Sequence, residues 1–161
     1  MSKLTVGIAP PNFDEWKRLH TLLTQAYAYM DQRVNPPTSM HRLNVDGLKA
    51  KADEETLILA KDGERILGCL FAKPEIDHLY VGKLAVANAV QGKGVGKHLL
   101  SFAEQVAKQH NLSRLKLFTR IELIENQTAF QKCGFQLVGH GTHKGFDAPT
   151  YVVMEKHLNR R

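Results

Sequence analysis

A run of alternating glycines between a predicted strand and a predicted helix constrains this sequence more than any other feature. The run reads Gln91-Gly92-Lys93-Gly94-Val95-Gly96-Lys97. The first backbone N–H groups of a helix have no partner within the helix, and the helix dipole adds partial positive charge to them. Glycines allow the oxygen atoms of an anion to approach this backbone closely, and the two lysines add full charges. The pattern therefore predicts a phosphate-binding site at the start of the helix.

Two better-known phosphate-binding loops do not fit this run. A P-loop needs glycine, four residues and then Gly-Lys-Ser/Thr, but Gln91 stands at the first glycine position and His98 follows Lys97. A dinucleotide-binding loop needs Gly-x-Gly-x-x-Gly, and the third glycine position counted from Gly92 is again Lys97. The remaining alternatives are a flexible loop and tight packing of helix on strand, both without a ligand. Three alternating glycines disfavour both because each glycine loses conformational entropy on folding.

Hydrophobic periodicity predicts a mixed α/β fold with the element order βααβββαβαββ. Residues 1–161 contain no repeat or long linker, so we expect a single domain. Asn12 and Glu15 resemble a capping box at the start of the first helix. Asp62-Gly63 predicts a hairpin turn, and Gly134 predicts a left-handed helix end. Strands are expected at 4–8, 56–61, 65–72, 79–86, 115–118, 135–139 and 150–155, and helices near 12–30, 45–52, 94–110 and 126–133.

Composition argues against several classes of protein. The formal charge of +6 favours an anionic partner, and positive charge is densest beside the glycine run and at Asn159-Arg160-Arg161, where a solvated surface is the simpler interpretation. Basic and aromatic residues are not interleaved, so nucleic acid binding is not expected. No apolar run would span a membrane, no secretory signal is evident, and Cys69 and Cys133 are expected to be reduced, which predicts a cytoplasmic protein. No metal is expected, because no group of ligand residues has suitable spacing.

The glycine run and its surroundings resemble the GNAT superfamily of N-acetyltransferases. The family signature Gln/Arg-x-x-Gly-x-Gly/Ala is matched by Gln91–Gly96, and the preceding Leu84-Ala85-Val86 is similar to the splayed strand of the family. An asparagine followed by a short helix that closes on Gly-Phe is matched by Asn126 and Gly134-Phe135. The resemblance covers about residues 4–156 and is strongest over 79–135. It implies a mixed, mostly antiparallel sheet flanked by helices.

The resemblance implies acetyl-CoA as the cosubstrate. Backbone groups of Leu84, Ala85 and Val86 would bind the pantetheine arm where two parallel strands splay apart. Asn126 would bind the pantetheine or orient the thioester, although a helix N-cap is an equally simple role for it. The pyrophosphate would be held by backbone groups of Gln91, Gly92, Lys93, Gly94, Val95, Gly96 and Lys97.

One position departs from the family pattern. Many members carry a tyrosine four residues before the glycine of Gly-Phe, where it can protonate the departing thiolate, and this position is Phe130. A thiolate is already a fair leaving group, because the pKa of a thiol is about 8.5. Either a dedicated acid is then dispensable, or water, a group on the bound substrate or Tyr151 supplies the proton.

Transfer to an amine also requires a base, because an alkylamine is mostly protonated at neutral pH. We prefer His78, at the start of the central strand, and then Glu122. Other candidates near the expected thioester are Tyr80, Glu125, His140 and His143. A lone histidine is more often a surface or packed residue than a base.

The N-terminal half is expected to bind the acceptor. The expected lining residues are Tyr27, Tyr29, Met30, Asp31, Arg33 and Tyr80. Ordinary amphipathic packing is the simpler role for Tyr27 and Met30, whereas Asp31 would attract a cationic amine or lie in water. Lys83 interrupts an apolar strand, so it points out of the core or contacts an acidic substrate group.

The sequence thus predicts an acetyl-CoA-dependent N-acetyltransferase that acts on a primary amine of a small molecule or a protein by direct attack in a ternary complex. The alternative with the same fold is a non-catalytic acyl-CoA-binding regulatory module. A basic nucleic-acid-binding domain is the third hypothesis, and the glycine run disfavours it. Dimers are common in the superfamily, so a homodimer is an option by analogy.

Overall fold

The computed structural model describes residues 3–159; Arg160 and Arg161, which belong to the basic C-terminal cluster, lie outside the described residues. Seven strands and four α-helices follow one another in the predicted order βααβββαβαββ. The strands are β1 (Leu4–Ile8), β2 (Thr56–Asp62), β3 (Arg65–Pro74), β4 (Leu79–Val86), β5 (Arg114–Arg120), β6 (Gln136–Gly141) and β7 (Tyr151–His157). The helices are α1 (Trp16–Tyr27), α2 (Val45–Glu54), α3 (Val95–Gln109) and α4 (Ile124–Lys132).

The strands form one sheet in the order β1-β2-β3-β4-β5-β7-β6. The β4–β5 pair is parallel, and the five other pairs, β1–β2, β2–β3, β3–β4, β5–β7 and β6–β7, are antiparallel. This arrangement confirms the predicted mixed, mostly antiparallel sheet. The parallel pair is joined by α3, as a parallel pair requires a crossover connection.

Alternation along the inner strands directs apolar side chains to both faces of the sheet. In β2, Ile58 joins the buried cluster that includes Leu99 of α3, whereas Leu57 joins the cluster that includes Leu19 of α1 and Leu48 of α2. Each fully buried side chain of this kind contributes about 1.5–3 kcal/mol. The helices are therefore held on opposite faces, α3 on one and α1 with α2 on the other.

The first helix begins later than predicted. Phe13 donates its backbone N–H to the Pro10 carbonyl at 3.0 Å, which closes a turn before the helix. Glu15 occupies the N-cap of α1 without a side-chain capping bond, and its carboxylate instead contacts Arg18 at 3.3 Å and Lys61 at 3.8 Å. The predicted capping box between Asn12 and Glu15 was therefore wrong, because the Pro10 turn keeps Asn12 out of the helix.

The predicted turns are confirmed where glycine adopts a positive φ. Gly63, with φ of 60°, lies in the turn between β2 and β3. Gly134, with φ of 97°, follows α4, and Phe135 donates its N–H back to the Phe130 carbonyl at 3.0 Å. The rings of Phe130 and Phe135 then pack edge to face at 5.8 Å. These contacts fix the end of α4 beside β6.

Candidate active site

The two central parallel strands separate soon after they begin. Pairing of β4 with β5 is confined to Leu79–Leu115 and Tyr80–Lys116. Beyond these pairs, residues of both strands line a cleft with a volume of about 1180 Å³. Backbone groups of β4 that face the gap have no partner strand there, so an extended ligand would complete the sheet at this point.

A β-bulge lies in the wall of the cleft. Phe71 is paired with Gly82 and Cys69 with Ala85, so β4 has one residue more than β3 over this interval. Lys83 within the bulge has φ of 51°, a conformation that costs about 1–3 kcal/mol for a residue with a side chain. The bulge changes the direction in which the following backbone groups point.

Contacts from the N-terminal half hold the bulge in place. The hydroxyl of Tyr27 donates to the Leu84 carbonyl at 3.2 Å. The Lys83 ammonium lies 5.6 Å from the centre of the Tyr27 ring and donates to the Ser39 hydroxyl. Burial raises the pKa of the Tyr27 hydroxyl far above its usual value. Tyr27 is thus a neutral donor that supports β4.

The glycine run forms the open N-terminus of α3. Gly92 and Gly94 have φ of 80° and 87°, and Gly94 is the N-cap without a side-chain capping bond. A Cβ atom at either position would meet no atom within 4 Å, and one at Gly96 would meet Val86 at 3.6 Å. The free first-turn N–H groups of this 15-residue helix therefore border open space, an arrangement suited to a phosphate group.

The predicted cofactor residues lie together. Apart from Lys93, which is exposed on the outside of the turn, every one of them lines the cleft. Gln91 anchors the turn by donating from its side-chain amide to Asn88 at 3.1 Å and to the Val86 carbonyl at 3.5 Å. The lining members are Leu84, Ala85, Val86, Gln91, Gly92, Gly94, Val95, Gly96, Lys97 and Asn126.

Asn126 is not a helix N-cap. Leu123 occupies that position, and Asn126 lies within the first turn of α4. Its side-chain amide donates to the Tyr29 hydroxyl at 2.8 Å, and both residues line the cleft. The N-cap interpretation was wrong because α4 begins two residues earlier than predicted, at Ile124.

Aromatic residues surround the space between the strands. Phe130 lines the cleft at the family's tyrosine position. Tyr80, Phe118 and Tyr151 form a second group. The ring centre of Phe118 lies 5.3 Å from that of Tyr80 and 5.0 Å from that of Tyr151. Burial raises the pKa of the Tyr80 hydroxyl. Tyr80 of β4 and Tyr151 of β7 both line the cleft, so each of these strands contributes one phenol group to its wall.

The two preferred bases, His78 and Glu122, are not among the residues that line the cleft. His78 contacts Asp77 at 2.7 Å in the turn before β4, and Glu122 accepts a hydrogen bond from the Asn35 backbone at 3.0 Å. A different histidine, His143, does line the cleft. Its Nδ1 lies 2.5 Å from the Thr150 hydroxyl.

The surroundings of His143 favour the neutral form of its imidazole. Partial burial, and then the charge of Arg120, lower its pKa below the usual value and outweigh the opposing charge of Glu122. Its Nε2 makes no hydrogen bond to residues 3–159. The sequence offered no strong signal for this residue, because its contact with Thr150 depends on how the β6–β7 connection folds.

The predicted acceptor residues are only partly brought together. Tyr27, Met30 and Tyr80 line the cleft, whereas Asp31 lies outside its lining and contacts His41 at 2.8 Å. The α1–α2 connection (residues 28–44) is instead tied to the β5–α4 region by polar contacts. Arg120 donates to the Pro36 and Pro37 carbonyls at 2.6 Å and 3.1 Å.

Basic residues that the sequence did not single out also line this part of the cleft. They are Arg42, Lys51 and Arg120. Within residues 3–159, no group of three or more His, Cys, Asp or Glu side chains is placed to hold a metal ion. No helix in the same part of the chain is long and apolar enough to cross a membrane.

Solved structures with this fold include acetyltransferases. The PaiA N-acetyltransferase from Thermoplasma acidophilum, in complex with coenzyme A, matches 96% of this chain and 99% of its own, with a TM-score of 0.78 and 14% identity. A GNAT family acetyltransferase from Elizabethkingia anophelis with acetyl-CoA bound matches 96% of this chain and 98% of its own, with a TM-score of 0.70 and 18% identity. At these identities the likeness establishes the fold.

Sequence comparison establishes the family. A curated relative, Probable N-acetyltransferase 14 from Xenopus tropicalis, is 30% identical over 87 residues, which are 53% of this chain and 42% of that protein. The matched region thus spans less than half of the relative's length. The model of the acetyltransferase (GNAT) family matches residues 16–135, which is well over half of the chain. Together with the glycine run at the start of α3 and the separation of β4 from β5, this match shows that the protein belongs to the acetyltransferase (GNAT) family.

Proposed function

We propose that the protein is an acetyl-CoA-dependent N-acetyltransferase that acts on a primary amine by direct attack in a ternary complex. The observation that carries this proposal is one continuous cleft that connects the glycine turn of α3 with the gap between β4 and β5. The first feature suits a pyrophosphate and the second suits an extended pantetheine arm. Two structural neighbours hold acetyl-CoA or coenzyme A, which agrees with this use of the fold.

The chain's own groups fit such a cosubstrate. The N-terminus of α3 and Lys97 present positive charge to the pyrophosphate. The edge of β4 that faces β5 has no partner strand beyond Tyr80, and its free backbone groups along 83–86 would bind the arm as a strand binds its neighbour. When bound, acetyl-CoA supplies the activated acetyl group. Every acid–base and positioning role remains with the protein and the acceptor.

The transfer needs a neutral amine. Its nitrogen forms a bond to the thioester carbonyl carbon, the carbon–sulfur bond breaks, the nitrogen loses a proton and the thiolate gains one. We assign the base to His143, with Nδ1–H donated to Thr150 and Nε2 left as the acceptor. Backbone N–H groups at the bulge beside Lys83 would stabilise negative charge on the carbonyl oxygen.

Tyr151 is the proposed proton donor to sulfur. It lines the cleft, and its ring lies 5.3 Å from that of His143 in an edge-to-face contact. Phe130, at the family's tyrosine position, has no proton to give. His78 and Glu122, which lie outside the cleft lining, receive no role in this proposal.

Turnover tests the function directly. We expect release of free coenzyme A from acetyl-CoA when a mixed library of amines is added, with a matching acetylated product by mass spectrometry. A protein that binds acetyl-CoA but acetylates no amine would instead be a non-catalytic acyl-CoA-binding module, the alternative that Phe130 favours.

A further inference from the structure

Positive charge dominates the wall of the cleft. Among the described residues, its lining includes one carboxylate, Glu125, which is already bound by Arg33 at 2.6 Å and 3.0 Å. The cationic lining residues are Arg42, Lys51, Lys83, Lys97 and Arg120. Lys97 belongs to the glycine turn, where the pyrophosphate accounts for it. The other four, hereafter the acceptor-end cations, have no such explanation.

The acceptor-end cations come from four separate parts of the fold and converge. Arg42 lies in the α1–α2 connection, Lys51 in α2, Lys83 in the β4 bulge and Arg120 at the end of β5. Burial, and then the charges of Lys51, Arg42 and Arg120, lower the pKa of the Lys83 ammonium to about 8. All four line the same cleft, and Lys83 lies within electrostatic range of the other three.

Nearby carboxylates neutralise this cluster only in part. Glu55 binds Lys51 at 2.8 Å, and Glu122 lies near Arg120 without forming an ion pair. Arg120 uses its guanidinium to hold the Pro36 and Pro37 carbonyls. Arg42 is exposed and makes no hydrogen bond or ion pair to residues 3–159. Its planar set of donors is therefore available to a ligand.

We propose that the acceptor is a small amine that also carries an anionic oxyacid group, a carboxylate or a phosphate, and that Arg42 binds this group. The inference rests on the proposed N-acetyltransferase function. A guanidinium binds such groups with two parallel hydrogen bonds. A purely cationic amine would instead be repelled by the acceptor-end cations. Their charge also favours the neutral form of the acceptor's amino group, which is the form that attacks.

Matched pairs of acceptors test the proposal. Each L-amino acid is compared with its amide, and phosphoethanolamine with ethanolamine, by kcat/KM for coenzyme A release. The anionic member of at least one pair should be preferred by about tenfold or more, as expected for a charge-assisted hydrogen bond. The pair that responds distinguishes a carboxylate from a phosphate. Arg42→Gln should remove the preference, whereas Lys108→Gln, the same change of charge in the last turn of α3, should keep it.

Equal kcat/KM within every pair, or a preference that Arg42→Gln leaves intact, would overturn the proposal and leave the acetyltransferase function standing. If no amine is acetylated, the proposed function fails, and a binding measurement still tests the anion site at Arg42. Inorganic phosphate is added to the coenzyme A complex, and the pKa of Lys83 is measured by NMR of its labelled side chain. Phosphate should raise this pKa in the native protein but not in Arg42→Gln. No change in the native protein would contradict an anion site.

Discussion

Arg33 donates to both carboxylate oxygens of Glu125, at 2.6 Å and 3.0 Å, and so joins the α1–α2 connection to the first turn of α4 across 92 residues of sequence. Three further hydrogen bonds join the same connection to the end of β5 and the residues after it: Asn35 donates to Glu122, and Arg120 donates to two carbonyls of the connection. These contacts hold the acceptor side of the cleft against the end of β5. The pair is exposed, so its main role is to position the connection and not to stabilise the fold.

Glu125→Gln should therefore change acceptor binding more than stability. Loss of the charged pair frees the α1–α2 connection, so the KM for the acceptor rises while kcat and the affinity for acetyl-CoA change little. The unfolding midpoint at neutral pH should remain close to that of the native protein. The hydrogen bond from Arg33 holds the pKa of Glu125 below its usual range. Its small contribution to stability is therefore present above the usual carboxylate pKa and is lost as the pH falls through the lowered value.

His143 should control the acidic limb of the pH profile. Its pKa lies below the usual value near 6.5, so kcat/KM should contain a limb that rises as the imidazole becomes neutral below about pH 6.5, separate from the limb at higher pH at which the acceptor amine loses its proton. His143→Gln should lower kcat about 10²–10⁴-fold and remove this limb. The matched control is His140→Gln, at an exposed position of β6 outside the cleft lining. Equal losses in the two variants would refute the assignment.

Tyr151→Phe should lower kcat with little effect on the KM for either substrate, because it removes a proton donor and keeps the ring contacts with Phe118 and His143. Steady-state kinetics across a range of pH measures this. Tyr80→Phe is the control, since it removes a hydroxyl from the same aromatic group. A larger loss in kcat from Tyr80→Phe would move the proposed role to Tyr80.

Gly68→Ala in β3 should disturb the neighbouring strand β4. A Cβ at this position would lie 2.8 Å from the Ala85 carbonyl and 3.0 Å from Leu99. The Ala85 carbonyl belongs to the backbone of β4 and cannot move without straining the strand. The free energy of unfolding, measured by urea denaturation, should therefore fall by about 1–3 kcal/mol. Gly139→Ala in β6 is the control, because its nearest neighbour, Val153, would be 3.9 Å away. A similar loss in both variants would show that loss of a strand glycine, and not contact with β4, is responsible.

The fold and the cofactor turn were predictable because their signals are local. The glycines at 92, 94 and 96 adjoin one helix start, and period-two and helical patterns mark the strands and α3 in short windows. The predicted capping box was wrong because Asn12 lies in a turn that begins at Pro10 and ends before the helix. The local sequence pattern alone could not show whether the turn or the capped helix would form.

The acceptor side was less predictable because it is assembled from distant segments. Nothing in the sequence distinguishes the basic residues Arg42, Lys51 and Arg120 from ordinary surface residues. They come to line the same cleft as Lys83 only when the chain folds. The preference for His78 over His143 rested on the expected position of the thioester. The structure places His78 in the turn before β4 and His143 in the cleft. The contact between His143 and Thr150 depends on the conformation of the β6–β7 connection, which the sequence pattern does not predict.

The central claim is that the N-terminus of α3 binds the pyrophosphate of acetyl-CoA. Calorimetry of acetyl-CoA binding to the native protein and to Gly96→Asp and Gly96→Asn tests it most directly, because the two variants have nearly the same shape and differ in charge. A Cβ at Gly96 meets only Val86, at 3.6 Å, and a carboxylate near a helix N-terminus favours the helix, so both variants should fold. Binding by the native protein, retained at least in part by Gly96→Asn and abolished by Gly96→Asp, is the predicted result. Failure of the folded native protein to bind acetyl-CoA, or equal binding by the Asp and Asn variants, would contradict the account.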